Sequence, residues 1–178
     1  MPVEAWPSAV RWMPTALKHA WLFVLLFVAV LAAWEDVRRL TLSPALTIAL
    51  LAVWTAGVFI EVTLRPWWTL AVVLLTLWRW TGGLWGWGFL LFPPLIPLAL
   101  TAAASRRGYI GDADLMLFSA LHLALPWWGP WLVSLGWHVY ILHRQRQGYG
   151  LVPAVPGLLV GWAAAMLGMM AIAYLTVP

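Results

Sequence analysis

Cysteine is absent from this 178-residue chain. That removes disulfides, thiol nucleophiles and Cys-ligated zinc together. Charge is almost as scarce, at 9% of residues against about 25% in an ordinary soluble domain. Hydrophobic residues make up 64%, which excludes a soluble globular protein and points to a polytopic membrane protein. The four histidines (His19, His122, His138, His143) are scattered without metal-ligand spacing, so each reads as packed or interfacial imidazole, and no metal or cofactor is expected. The net charge of +4 does not indicate a nucleic-acid partner. In so apolar a chain, Lys and Arg act as topology signals that gather on the cytoplasmic side.

What is abundant fits the same class. Sixteen tryptophans, many near the ends of apolar runs, suit the aromatic belts of a bilayer interface. Residues 1–16 read as an N-terminal interfacial segment, and no cleavable signal peptide is evident. A first span is expected at 16–34 and a second at 44–62, each close to the ~20 residues a bilayer requires. The next part is ambiguous. "RPWWTLAVVLLTLWRW" is short and flanked by Arg65 and Arg79, whereas "GGLWGWGFLLFPPLIPLALTAAA" is long but broken by Pro93, Pro94 and Pro97. Further apolar runs start at Leu115 and Gly129, and the last span is expected at 152–177. Arginine clusters at 38–39, 106–107 and 144–146 must be separated by even numbers of crossings if they share one face. That parity is met if 66–81 is a partial or interfacial hairpin. The expectation is an all-α bundle of about six spans, with an outside N-terminus and one domain covering 1–178.

Against this background the aspartates stand out. There are three, Asp36, Asp112 and Asp114, in two short patches at the edges of apolar runs. A carboxylate at membrane depth costs several kcal/mol, so such a residue suggests function by default. Both patches fall on the same face by the charge count, so two carboxylates can converge. A converging pair shares one proton, and its ionised member can activate water for attack on a peptide carbonyl. Gly108 and Gly111 beside the second patch would let a substrate backbone approach. Glu35 is expected to be solvated, and Arg38 and Arg39 to be cytoplasmic anchors.

At these residues the chain resembles the type IV prepilin peptidase family, the GxGD kind of membrane aspartic protease. Asp36-Val37-Arg38-Arg39-Leu40-Thr41-Leu42-Ser43-Pro44 is similar to the family's first motif, an Asp followed by polar or basic residues and Ile-Pro-Asn. Leu42 takes the Ile position, and Ser43-Pro44 replaces Pro-Asn. Gly111-Asp112-Ala113-Asp114 is similar to the second motif, with Met116 where the family often has Lys. The resemblance runs by span order from about residue 20 to 176. It implies catalytic roles for Asp36 and Asp114, with Asp112 as the alternative register. It also implies removal of the basic leader from prepilin-like or pseudopilin-like substrates, at the cytoplasmic face of the inner membrane and without a cofactor. Larger members carry a CxxC-containing domain associated with N-methylation. Its absence suggests a short, peptidase-only form. Two other readings remain open at this point: an inactive scaffold in pilus or secretion assembly, and a small proton- or cation-coupled carrier.

Overall fold

The computed structural model describes residues 8–126, 128–148 and 152–176. Among them it is helical, without strands. Seven α-helices follow in order: α1 (Ser8–Arg39), α2 (Pro44–Leu64), α3 (Pro66–Thr81), α4 (Ile96–Arg106), α5 (Asp112–Ala124), α6 (Gly129–Arg146) and α7 (Val155–Thr176). Residues 1–7 of the expected interfacial segment lie outside the described residues, and from Ser8 the chain is already in α1.

Among the described residues, three helices are long and apolar enough to cross a bilayer: Ala16–Arg39 within α1, Pro44–Leu64, and Val155–Ile172 within α7. Their outward faces are apolar too, with Phe23 74%, Phe59 70% and Met170 67% exposed. Contiguous apolar surface of that kind is built for lipid rather than water.

The helices have two recognisable ends. Lys18 and Asp36 are separated by 18 residues, about 27 Å of helix, close to the ~30 Å hydrocarbon thickness of a bilayer. At the Lys18 end, Glu61 of α2 is fully buried. It pairs with Lys18 Nζ at 2.6 Å and with Arg65 at 2.7 Å. Arg65 also donates to the carbonyls of Leu125 (3.1 Å) and Leu123, and Trp68 Nε1 donates to His122 O at 3.1 Å. These groups satisfy carbonyls that the last turn of α5 would otherwise leave bare. The same end therefore holds the start of α3 and the end of α5.

At the Asp36 end, Arg79 near the close of α3 meets Asp112 at the start of α5. The α6–α7 pair is antiparallel, since Gly157 abuts Trp137 and Tyr140 whereas Gly168 faces Trp128 and Leu132. The end of α6 and the start of α7 thus lie with Asp36. Helices α1, α2, α3, α5, α6 and α7 each run from one end to the other.

One expectation needs correction here. Residues 66–81 form one uninterrupted helix rather than a hairpin. The longer run at 82–104 is not one helix, because Gly82 and Gly83 adopt φ of +73° and +87°, which ends α3. Two 3-10 segments, Trp85–Leu91 and Pro93–Leu95, follow, and the prolines delay the helix until Ile96. Trp78 packs against Gly86 and against the ring of Trp87 at 5.1 Å, so this segment folds back along α3.

The core is lined by Leu25, Leu50, Leu75, Trp78, Leu98, Leu115 and Phe118. A polar link joins three of its helices. Ser119 of α5 accepts from Trp54 Nε1 at 2.8 Å and lies 2.7 Å from Thr76 Oγ1, tying α2, α3 and α5 together. Where α6 and α7 cross, glycines let the backbones touch, and a Cβ at Gly136 would fall on the Cα of Gly161. Gly136→Leu is expected to force the two helices apart and lower stability by roughly 2 kcal/mol, read as an earlier midpoint in denaturant titration of the detergent-solubilised chain. An unchanged midpoint would show that this crossing does not hold the bundle.

Candidate functional site

The chain turns sharply after α1, and the turn is built by residues around Asp36. Leu40 takes a left-handed φ of +56°, unusual for a branched side chain. Ser43 caps α2 by accepting from Leu46 N, and Pro44 occupies the first turn, where its missing N–H costs nothing. Glu35 Oε2 accepts the Ser43 N–H at 2.9 Å. Glu35 is only 8% exposed, which corrects the expectation that it is solvated. Its second oxygen lies 3.5 Å from Arg39 Nη1, while Arg38 stacks over Trp34 at 4.1 Å. Both arginines are thus engaged by neighbours on their own helix.

This turn fixes Asp36, itself 7% exposed. Its Oδ2 accepts the N–H of Val155 at 3.0 Å. Val155 opens α7, so the carboxylate sits at a helix N-terminus, where free N–H groups and the helix dipole both favour negative charge.

Asp112 and Asp114 follow one another by two residues on α5, which separates them by about 200° around the helix. They therefore face opposite neighbours. Asp112 Oδ1 accepts from Arg79 Nε at 2.8 Å and from Ser105 Oγ at 3.1 Å, and Arg79 Nε also reaches Ser105 Oγ at 2.9 Å. Asp112 thus clamps α5 to α3 and α4. Asp114 points the other way. Its Oδ2 accepts the N–H of Gly111 at 3.1 Å, and its carboxyl is close enough to Asp36 for their charges to interact.

Asp36 and Asp114 line one cavity of about 230 Å³. Leu40 and the loop Tyr109–Gly111 contribute to its wall. Trp137 and Ile141 of α6, with Val152 and Ala154 before α7, close the other side. A water needs about 30 Å³, so there is room for water beside a short stretch of extended peptide. The polar groups among its lining residues are two carboxyls, a phenol, an indole N–H and backbone amides, beside aliphatic side chains. Such a set can activate water and bind an amide.

The two expected glycines divide. Gly111 lines the cavity in an extended conformation (φ −73°) that any residue could adopt. Gly108 has φ +75°, where glycine is favoured, yet it lies on the exposed turn and not on the cavity wall. Among the described residues, no three side chains of metal-ligating type come together. His122 packs on Phe118 inside the core, and His138 bonds to Ser134 O at 2.7 Å within its own helix.

Sequence reading did not reach Arg79 and Ser105, or the wall formed by Tyr109, Trp137 and Ile141. The glycines of α7 were the one available signal, since they mark the close helix pair that carries Trp137 to the cavity. No protein-family model, no curated protein and no solved structure matches the chain.

The Asp112 clamp has a measurable consequence. Asp112→Asn and Arg79→Gln are each expected to destabilise by about 1 kcal/mol, a modest figure because both side chains are partly exposed. Combined, they should cost clearly less than the sum, as partners in one contact do. Strict additivity in denaturant titrations would exclude the clamp.

Proposed function

We propose that this chain is a membrane-embedded aspartic endopeptidase that removes the short basic leader of prepilin-like proteins at the cytoplasmic face of the membrane. One observation carries the reading. Asp36 and Asp114, distant in sequence, share a cavity, whereas Asp112 is taken up by Arg79 and Ser105. This favours the register in which Asp114 is the second catalytic acid.

The same reading takes α1, α2, α3, α5, α6 and α7 as six crossings, with 82–106 as a re-entrant segment that leaves and returns to one side. Arg38, Arg39, Arg79, Arg106, Arg107, Arg144 and Arg146 then share the Asp36 end, and they are seven of the ten Lys and Arg residues. The positive-inside bias makes that end cytoplasmic and the N-terminus outside. The parity of the arginine clusters is satisfied with α3 as a true crossing.

Chemically, the carboxyl pair holds one proton and a water between its members. The ionised carboxyl takes a proton from the water as its oxygen attacks the scissile carbonyl. The protonated carboxyl gives its proton to the carbonyl oxygen, forming a tetrahedral diol. Collapse breaks the C–N bond, the leaving amine takes a proton from the first carboxyl, and the diol proton returns to the second. The pair titrates as a unit, so acid and base roles belong to the dyad rather than to a named member. The bond from Val155 N–H orients Asp36 for this exchange by occupying one oxygen. A substrate with Lys and Arg in its leader keeps them at the anionic leaflet while its apolar helix stays in lipid beside the enzyme.

Co-expression with a prepilin-like substrate tests the reading on a gel. Asp36→Asn and Asp114→Asn, which preserve shape and a hydrogen-bond acceptor, should abolish leader removal, while Asp112→Asn should retain part of it. Full processing by Asp114→Asn would overturn the register. Full processing by both cavity variants would end the proposal.

A further inference from the structure

A second cavity, of about 400 Å³, opens at the Asp36 end between α3, the first 3-10 segment and α4. Its wall is Trp78, Gly83, Leu84, Trp87 and Ala103, and its rim carries Arg106 and Arg107. Neither Asp36 nor Asp114 lines it.

Several cations of the bundle are already engaged by acids or rings of the chain itself. Arg39, Arg65 and Arg79 each meet a carboxylate, and Arg38 covers Trp34. Arg106 lies 5.1 Å from the Trp78 ring centroid and makes one long contact to Gly83 O at 3.5 Å. Neither Arg106 nor Arg107 forms an ion pair with a carboxylate among the described residues. Two adjacent guanidiniums thus stand above an aromatic and aliphatic slot. The C-terminal carbonyls of α4 carry a partial negative charge of about half a unit, well below the two positive charges beside them.

Beside the arginines the lining is aromatic and aliphatic, and Leu84 in it is 85% exposed, as is Leu91 (83%) at the end of the first 3-10 segment. A free phosphate would use the rim and leave this slot empty. A molecule with an anionic head and a hydrocarbon tail uses both. We propose that this cavity binds an anionic phospholipid, the phosphate on Arg106 and Arg107 and the upper acyl chain along Leu84 and Trp87. The segment 82–95 then meets lipid through an ordered molecule that seals its irregular backbone against α3. This inference requires membrane embedding but not peptidase activity.

The test is native mass spectrometry of the full chain in detergent, with phosphatidylglycerol or phosphatidylcholine added at equal concentration. Phosphatidylglycerol should be retained about tenfold more than phosphatidylcholine, and R106Q/R107Q should remove that preference. L84E alters an exposed side chain at the mouth, tolerable for folding, and should expel the anionic lipid likewise. R38Q/R146Q takes the same charge from the same end and should leave retention intact. Equal loss in R38Q/R146Q would overturn the site in favour of diffuse attraction. Unchanged retention in both R106Q/R107Q and L84E would overturn it outright. Displacement of the lipid by inorganic phosphate alone would instead identify a soluble anion site.

Discussion

The bond from Val155 N–H to the Asp36 carboxylate joins residues 119 positions apart and closes the bundle. It sets the first helix against the last at one depth, and much else follows from that level. A carboxylate in a lipid-flanked position costs several kcal/mol unless something compensates it. Here the compensation is a helix N-terminus, whose free amides need an acceptor as much as the carboxylate needs donors. The two deficits cancel, and the acid keeps an oxygen for other use. Glu35 makes a parallel arrangement one residue earlier, holding the amide of Ser43 at the start of α2. Consecutive acids on α1 thus anchor two different helices, and the turn between α1 and α2 is pinned from both sides.

The opposite end of the molecule solves a different problem. Helix α5 has 13 residues, about 20 Å, which is short for a helix that runs the depth of the bundle. Its final carbonyls therefore stop below the level reached by α1 and α2. Arg65 and Trp68 extend inward to meet them, and Glu61 neutralises Arg65 together with Lys18. The long side chains make up the missing length. The shortness of α5 has a benefit at its other end, since it lets Asp114 sit beside Asp36 in a cavity roofed by the 109–111 loop.

Much of this was legible in the chain itself. The scarcity of Asp marked the residues that meet, because an apolar sequence offers few alternatives. The helical period alone shows that Asp112 and Asp114 cannot both face one partner. Other features were hidden for physical reasons. Glu35 reads as a surface charge because nothing local reveals that the Ser43 amide points at it. Arg79 reads as a flanking charge, although its partner is 33 residues away. The continuity of α3 was hidden because its run is short and flanked by arginines. Sixteen residues at 66–81 form one helix, whereas Gly82-Gly83 and Pro93-Pro94 break the longer run that follows.

The break between α3 and α4 bears on how the site is held. If 82–104 were a single helix, its end would reach the Asp112 region as a rigid rod with α3 displaced to the periphery. Instead α3 and α4 both end there, one delivering Arg79 and the other Ser105, and both side chains converge on the same oxygen of Asp112. The first residue of α5 is therefore fixed by two helices. With residue 112 fixed, the helical turn alone directs residue 114 toward α1, α6 and α7. The irregular segment between α3 and α4 is what permits both to arrive from the same side. The carboxylate held by Arg79 and Ser105 thus aims the other one into the cavity. The spacing of the two acids along α5 then follows from geometry, since one must face away from the cavity for the other to face into it.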